Sequence, residues 1–145
     1  MTPAQPPADP HPGYPVGEKQ PERVRTRTGR PLADLNLEQV LGGELTIADF
    51  GITAEGLRLQ AKVAATAGRP HLAENLRRGA ELVGIPDDEL LAIYEQLRPG
   101  RVRSAAELRA TAEHVRRAYG AEATARLIEE AATAYERRGV YSRRA

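Results

Sequence analysis

Three consecutive carboxylates, Asp87, Asp88 and Glu89, are the residues of this sequence whose types and spacing most readily suggest chemistry. A carboxylate pair can work as general acid and base, and clustered carboxylate oxygens can hold a hard divalent cation. Their setting argues against both uses. No histidine lies near them in the sequence. Acids directly after Pro86 suit the first turn of a helix, where they complement the positive end of the helix dipole. The three histidines, His11, His71 and His114, fall in a tail, at a helix start and on a helical flank. No two stand four residues apart, as a ligand pair on one helix face would require, and surface roles fit all three better. The absence of cysteine rules out a thiolate metal site and a disulfide frame. Nucleophile elbows, glycine-rich phosphate loops and zinc spacings are missing too. No catalytic, cofactor-binding or metal-ligating residue is therefore assigned to the chain.

Recognition chemistry is the second possibility. Within residues 73–98, Ala80, Gly84 and Leu90 stand where a helix-turn-helix DNA reader places its small residue, its turn glycine and its buried aliphatic. The tip of the second helix would then present Asp87, Asp88 and Glu89 to phosphates, where a reader needs Arg, Lys, Asn or Gln. Two helices packing closely at a short turn account for the same spacing. Arginines cluster at Arg23, Arg25, Arg27 and Arg30, at Arg98, Arg101 and Arg103, and at Arg137, Arg138, Arg143 and Arg144. Many such residues form a solvated rim. Those beside non-helical segments could instead grip a partner's carboxylates in a bidentate fork. The expected partner-interface residues are Arg27, Thr28, Gly29, Arg30, Pro31 and Leu32, joined by Arg98, Pro99 and Arg101.

The elements that must position these groups are helical. At 145 residues the chain can build one domain with a real core. Its hydrophobic fraction is 41%, much of it alanine, with one Phe and no Trp, so the core is expected to be thin and a partner surface to supply part of the burial. The 21 basic and 20 acidic residues leave a net charge of +1, too little for a global field that would hold a polyanion. No run is hydrophobic enough for a signal peptide or a membrane span, which makes a cytoplasmic protein the expectation. Residues 1–22 are rich in proline and read as a non-helical tail, disordered at its start. Residues 23–35 lack a helical period and read as an extended docking segment with a turn at Thr28–Pro31. Residues 36–138 read as an all-α domain of about five to six helices, and 139–145 as a basic tail. Asn36, Thr53 and Ser104 are expected N-caps, with Ser104 and Glu107 forming a capping box. Expected inward stripes are Leu57, Ala61 and Ala64; Leu72, Leu76, Ala80 and Val83; Leu90, Leu91, Tyr94 and Leu97; Leu108, Ala112, Val115 and Tyr119; and Leu127, Ile128, Ala131 and Tyr135.

Three stretches taken together resemble one family, the small (gamma) subunit of adenosylcobalamin-dependent diol and glycerol dehydratases. Thr28-Gly29-Arg30-Pro31-Leu32 and Leu37-Glu38-Gln39-Val40-Leu41-Gly42-Gly43-Glu44 resemble the family's TGKPL and LEKVLSGE. Ala73 to Leu82, continuing through Ile85-Pro86-Asp87, Ile93-Tyr94 and Leu97-Arg98-Pro99, forms the second stretch. Glu130-Ala131-Ala132 with Tyr135 and Arg137 forms the third. The resemblance runs from about Tyr14 to Arg138. Leu76 stands where a Phe is expected, and Gly100 where relatives carry a larger residue.

The resemblance implies a reaction that this chain does not perform alone. Homolysis of the cobalt–carbon bond yields an adenosyl radical that abstracts hydrogen from a 1,2-diol or glycerol, and rearrangement releases an aldehyde and water. A large barrel subunit holds the substrate, adenosylcobalamin lies between large and medium subunits, and the small subunit packs on the large one in a dimer of heterotrimers. Binding of specific nucleic acid or membrane is not expected. Association with a bacterial microcompartment is a further implication, although the Pro-rich start does not look like the amphipathic helix some relatives use for entry. The competing reading is an independent helical nucleic-acid-binding or adaptor module with its helix-turn-helix-like segment at 73–98.

Overall fold

Prolines stop at residue 15 and resume at residue 21, and in the gap Val16–Lys19 closes a single helical turn, α1. The carbonyl of Pro15 accepts from the amides of Glu18 and Lys19 at 3.1 and 3.0 Å. The tail was expected to be non-helical throughout; four residues free of proline are enough for one turn. This computed structural model describes residues 13–141. Six further α-helices follow: α2 (Leu37–Leu41), α3 (Ala54–Thr66), α4 (Pro70–Leu82), α5 (Asp87–Gln96), α6 (Ala105–Tyr119) and α7 (Glu122–Arg138). Short 3₁₀ turns occupy Pro21–Arg23, Leu32–Asp34 and Ile47–Phe50. Among the described residues the extended pairing amounts to an isolated bridge between Arg25 and Pro31, so the class is all-α. The chain divides into two units inside α4: unit 1 ends at Ala73 and unit 2 begins at Glu74.

Local chemistry sets the element ends in unit 1. The Asn36 side chain accepts from the Gln39 amide at 3.0 Å and starts α2. Gly43, at φ 74°, stops it, a left-handed conformation that glycine adopts without a Cβ clash. Thr53 caps α3 through the Gly56 amide at 3.0 Å. That helix buries Leu57, Ala61 and Ala64, the expected stripe.

Unit 2 is organised on α6. Leu108, Ala112 and Val115 are fully buried, and they pack with Ile85, Ile93, Val102 and Ile128 and with alanines 105, 121, 125 and 132. Its largest fully buried side chains are Leu108, Ile128 and Val115, none of them aromatic. The expected capping box at α6 is half formed. Ser104 accepts from the Glu107 amide at 3.4 Å, but the Glu107 carboxylate reaches one residue further back, to the Arg103 amide at 3.1 Å. Ala121, at the start of α7, has no side chain that can cap. Glu81 of α4 takes that role, accepting from the Ala123 and Thr124 amides at 2.9 and 2.8 Å and from the Thr124 hydroxyl at 2.8 Å. Beyond α7, the Val140 carbonyl accepts from the Gly100 amide at 2.7 Å, and the Tyr141 hydroxyl donates to the Ala132 carbonyl at 2.8 Å. Residues 140 and 141 of the expected tail therefore fold back onto unit 2.

Three of the stripes are rotated from expectation. In α5 the buried position is Ile93, while Leu91 and Tyr94 face outward at 69% and 54% exposure. In α4 Ala73 and Ala80 are buried and Leu72 is exposed. In α7 Ile128 and Ala132 are buried, with Leu127 partly open. Small alanines let helices approach closely, which turns the alanine face inward and leaves larger neighbours at the margin.

Candidate partner-docking site

The Thr28-Gly29-Arg30-Pro31 turn lies at the tip of a three-residue hairpin in unit 1. The Thr26 amide donates to the Arg30 carbonyl at 2.9 Å, and the Gly29 amide donates to the Thr26 carbonyl at 3.0 Å. Gly29 sits at φ 89°, the positive value such a loop requires at its last position. A directed relay holds the tip. The Arg30 amide donates to the Thr26 hydroxyl at 2.9 Å, the Thr26 hydroxyl meets that of Thr28 at 2.8 Å, and Thr28 donates to the Asp49 carboxylate. Because Thr28 gives its single proton to Asp49, Thr26 is the donor in the middle step.

Asp49 is buried, and it also accepts from the Thr46 amide at 2.8 Å and the Thr46 hydroxyl at 3.1 Å. The Arg30 guanidinium lies 3.7 Å away. The Thr28 hydrogen bond, followed by that of the Thr46 amide, holds the Asp49 carboxyl below its usual range. A depressed carboxyl stabilises the fold above its unfolded pKa, near 4, and that stabilisation is lost as pH falls through the folded value. The melting advantage of the wild type over Asp49→Asn is therefore expected to be full at pH 6 and to shrink as the pH falls below about 4 towards the lowered folded value. Parallel melting curves over that range measure it; a constant difference would show that ionised Asp49 does not anchor the hairpin.

Around this anchor the structure sorts the expected interface residues into two groups. Thr28 and Arg30 are engaged internally, Gly29 shapes the loop, Pro31 forms the bridge with Arg25, and Leu32 is partly buried. Arg27 is exposed and makes no ion pair or hydrogen bond with any described residue; its Cδ lies 3.0 Å from where a Cβ on Gly51 would stand. Its neighbours Arg23 and Arg25 bond to neutral acceptors, the Gln20 side chain and the Gly29 carbonyl. Three hairpin-side cations thus lack a carboxylate among the described residues. In unit 2, Arg98 and Arg101 both pair with Glu95, at 3.0 and 2.9 Å, with Pro99 exposed between them. The structure does not join them into a free basic patch.

Sequence reasoning missed the larger feature of unit 1. Leu37, Val40 and Leu41 lie at i, i+3 and i+4 on α2, one helix face, and all are exposed, Leu41 at 79%. In the next turn Ile47 and Phe50, three apart in a 3₁₀ helix and hence on one side, are open at 89% and 53%, and Ile52 is open beside them in sequence. The chain's single phenylalanine is thus outside the core. Exposed apolar side chains gathered this closely mark an interaction surface. Their helical spacing was the available signal, but it cannot say whether a face packs on its own chain or on another.

Of the three carboxylates at the tip of the helix-turn-helix-like segment, Glu89 is engaged within the fold. Glu89 accepts from the Tyr119 hydroxyl and lies 2.7 Å from His114 Nε2, tying α5 to α6, while Asp87 and Asp88 stand exposed on the first turn. That end of α5 repels phosphate. His71 is exposed at the start of α4, and His11 lies outside the described residues. The described residues contain no group of His, Cys, Asp or Glu able to hold a metal ion, and no helix among them is long and apolar enough to cross a membrane.

A family model described as dehydratase small subunit matches residues 10–141. Two proteins named propanediol dehydratase small subunit, from Citrobacter freundii and Salmonella typhimurium, are each 46% identical over 125 residues, covering 86% of this chain and 72% of the relative.

Proposed function

The chain belongs to the dehydratase small-subunit family, and from that premise we propose that it is the non-catalytic small subunit of an adenosylcobalamin-dependent diol or glycerol dehydratase. Its part in converting a 1,2-diol or glycerol to an aldehyde and water is to stabilise the large catalytic subunit. The observation that supports this most directly is the exposed apolar surface of residues 37–52, carried in the same unit as a rigid hairpin with uncompensated arginines. A partner surface that is apolar with carboxylates near it would complement both.

The groove between α4, α5 and α7 in unit 2 does not fit the cofactor. The groove in unit 2 has a volume of about 270 Å³, below the roughly 300–1,000 Å³ of pockets that enclose drug-sized ligands, and a corrin is larger than those. Of the two described histidines, His114 is engaged by Glu89. In the proposed assembly adenosylcobalamin is held by the large and medium subunits. A dimer of heterotrimers, in the cytoplasm or within a bacterial microcompartment, completes the proposed setting.

The test is capture of the large subunit from a co-expressed complex, with diol turnover as second readout. Removing residues 1–13 is expected to leave capture and turnover intact. Removing 1–35, which takes away the hairpin and the arginines on it, is expected to weaken both. Equal behaviour of the two truncations would overturn the docking role of the hairpin, and failure of the intact chain to join the complex would overturn the subunit assignment.

A further inference from the structure

Gly51 follows the 3₁₀ turn that carries Phe50, and its backbone stands at φ −65° and ψ 139°, extended values that any residue adopts. Conformation therefore gives no reason for a glycine here, unlike at Gly29 or Gly43. Space does. A Cβ at position 51 would stand 3.0 Å from Cδ and 3.7 Å from Cβ of Arg27, the first of these inside the about 3.5–4.0 Å at which carbon atoms pack. The missing side chain is the seat of the Arg27 stem.

The hairpin holds Arg27 over that seat. Its neighbours Thr26 and Thr28 belong to the relay that ends on Asp49, and Asp49 lies just ahead of Gly51 in the chain. Residue 27 is thus pinned through its backbone on both sides and through its stem on Gly51. Phe50 and Ile52, which flank Gly51 in sequence, are open at 53% and 60%. An arginine stem laid along such a surface keeps its charged head in water at the edge of it. That head meets no carboxylate among the described residues. Arg23 and Arg25 lack one too, so the missing carboxylate does not by itself single Arg27 out; the seat does. A side chain held in advance loses less freedom on binding than a free one, and more of its pairing energy reaches the affinity.

We propose that Gly51 is a positioning residue for docking: it seats Arg27 so that the guanidinium, at the edge of the surface made by Phe50 and Ile52, meets a carboxylate of the large dehydratase subunit. The proposal rests on the small-subunit reading, which supplies that subunit, and deepens it by naming a cation that fixes where the apolar contact sits.

The test is incorporation in competition. Wild-type and variant small subunits, differently tagged, are co-expressed with the large and medium subunits, and their ratio in the purified complex is read. Arg27→Ala should be disfavoured about tenfold, the worth of one charge-assisted pair. Gly51→Val leaves every charge in place but fills the seat; it should be disfavoured by about as much, and the double variant no more than Arg27→Ala alone. The melting temperature of the free Gly51→Val chain should not fall, because the backbone at 51 suits a side chain and a substitution there also restricts the unfolded state. In a complex carrying Arg27→Lys, zero-length carbodiimide coupling should join the amine at position 27 to the large subunit, as mapped by mass spectrometry. Undiminished incorporation of Gly51→Val, additive losses in the double variant, a lowered melting temperature, or coupling at 27 to the medium subunit or to neither would each overturn the proposal and leave the subunit assignment standing. Failure of the wild type to enter the complex defeats both.

Discussion

Leu41→Glu combined with Phe50→Glu is expected to reduce capture of the large dehydratase subunit by more than about a hundredfold while leaving the free chain folded. Both residues are already in water, at 79% and 53% exposure, so substitution removes little internal packing, and surface changes of this kind usually stay within about 0.5 kcal/mol. In a docked interface the same carboxylates would be driven into an apolar contact. Truncating a buried anchor costs about 2 kcal/mol or more, and two anchors correspond to at least about a hundredfold in affinity. The measurement pairs a titrated pull-down with far-UV dichroism and a melting curve of the free variant. Unchanged capture would show that this surface faces water in the complex as well, and a collapsed melting curve would show that it belongs to the chain's own core.

Leu108→Ala should have the largest effect on the fold itself. Leu108 is fully inaccessible in the core cluster of unit 2, which is rich in small side chains, Ala105, Ala112 and Ala132 among them. Deleting a buried leucine costs about 2–5 kcal/mol, more where neighbours cannot close the cavity. Alanines have no longer rotamer with which to close it. Against a typical total of about 5–15 kcal/mol, in a core with no buried aromatic, the free variant is expected to lose its cooperative melt. A partner that binds only the folded form adds about 4 kcal/mol at a thousandfold excess over Kd, so the same variant should regain a cooperative transition in the complex. A free Leu108→Ala chain that still melts sharply, within a few degrees of the wild type, would mean the core is stronger than its composition suggests.

Local rules were legible in the sequence wherever one residue and its near neighbours decide the outcome. Asn36, Thr53 and Ser104 accept the amides three residues on, and Gly43 and Gly68 take the positive φ that ends α2 and α3. The turn at Thr28–Pro31 belongs to the same class. What the sequence withheld depends on residues far apart. Nothing near Thr28 names Asp49, which stands 21 positions away, and Glu81 is 42 positions from the first amide it caps. Helix faces failed for a different reason. Along α5 the aliphatic and aromatic residues Leu90, Leu91, Ile93, Tyr94 and Leu97 cover more than one side, so periodicity alone could not choose which side turns inward. The proposed docking surface was partly visible as a cluster of arginines, but the cluster did not show that Glu95 pairs with both Arg98 and Arg101. Leu37, Val40 and Leu41 were visible as an apolar helix face, but a sequence shows no boundary between the chain and its neighbour.

The cap that Glu81 places on α7 also imposes an order on synthesis. The ribosome makes the carboxylate early and its donors, the Ala123 and Thr124 amides, late. While the chain is being extended, α4 can close its own turns, but a partly enclosed anion waits there for groups that do not yet exist. A nascent chain halted before residue 123 would keep that anion hydrated and α4 loosely held, because burying it without donors is costly. Unit 2 is therefore expected to close only after residue 124 has emerged, when the start of α7 supplies the donors that the carboxylate on α4 requires.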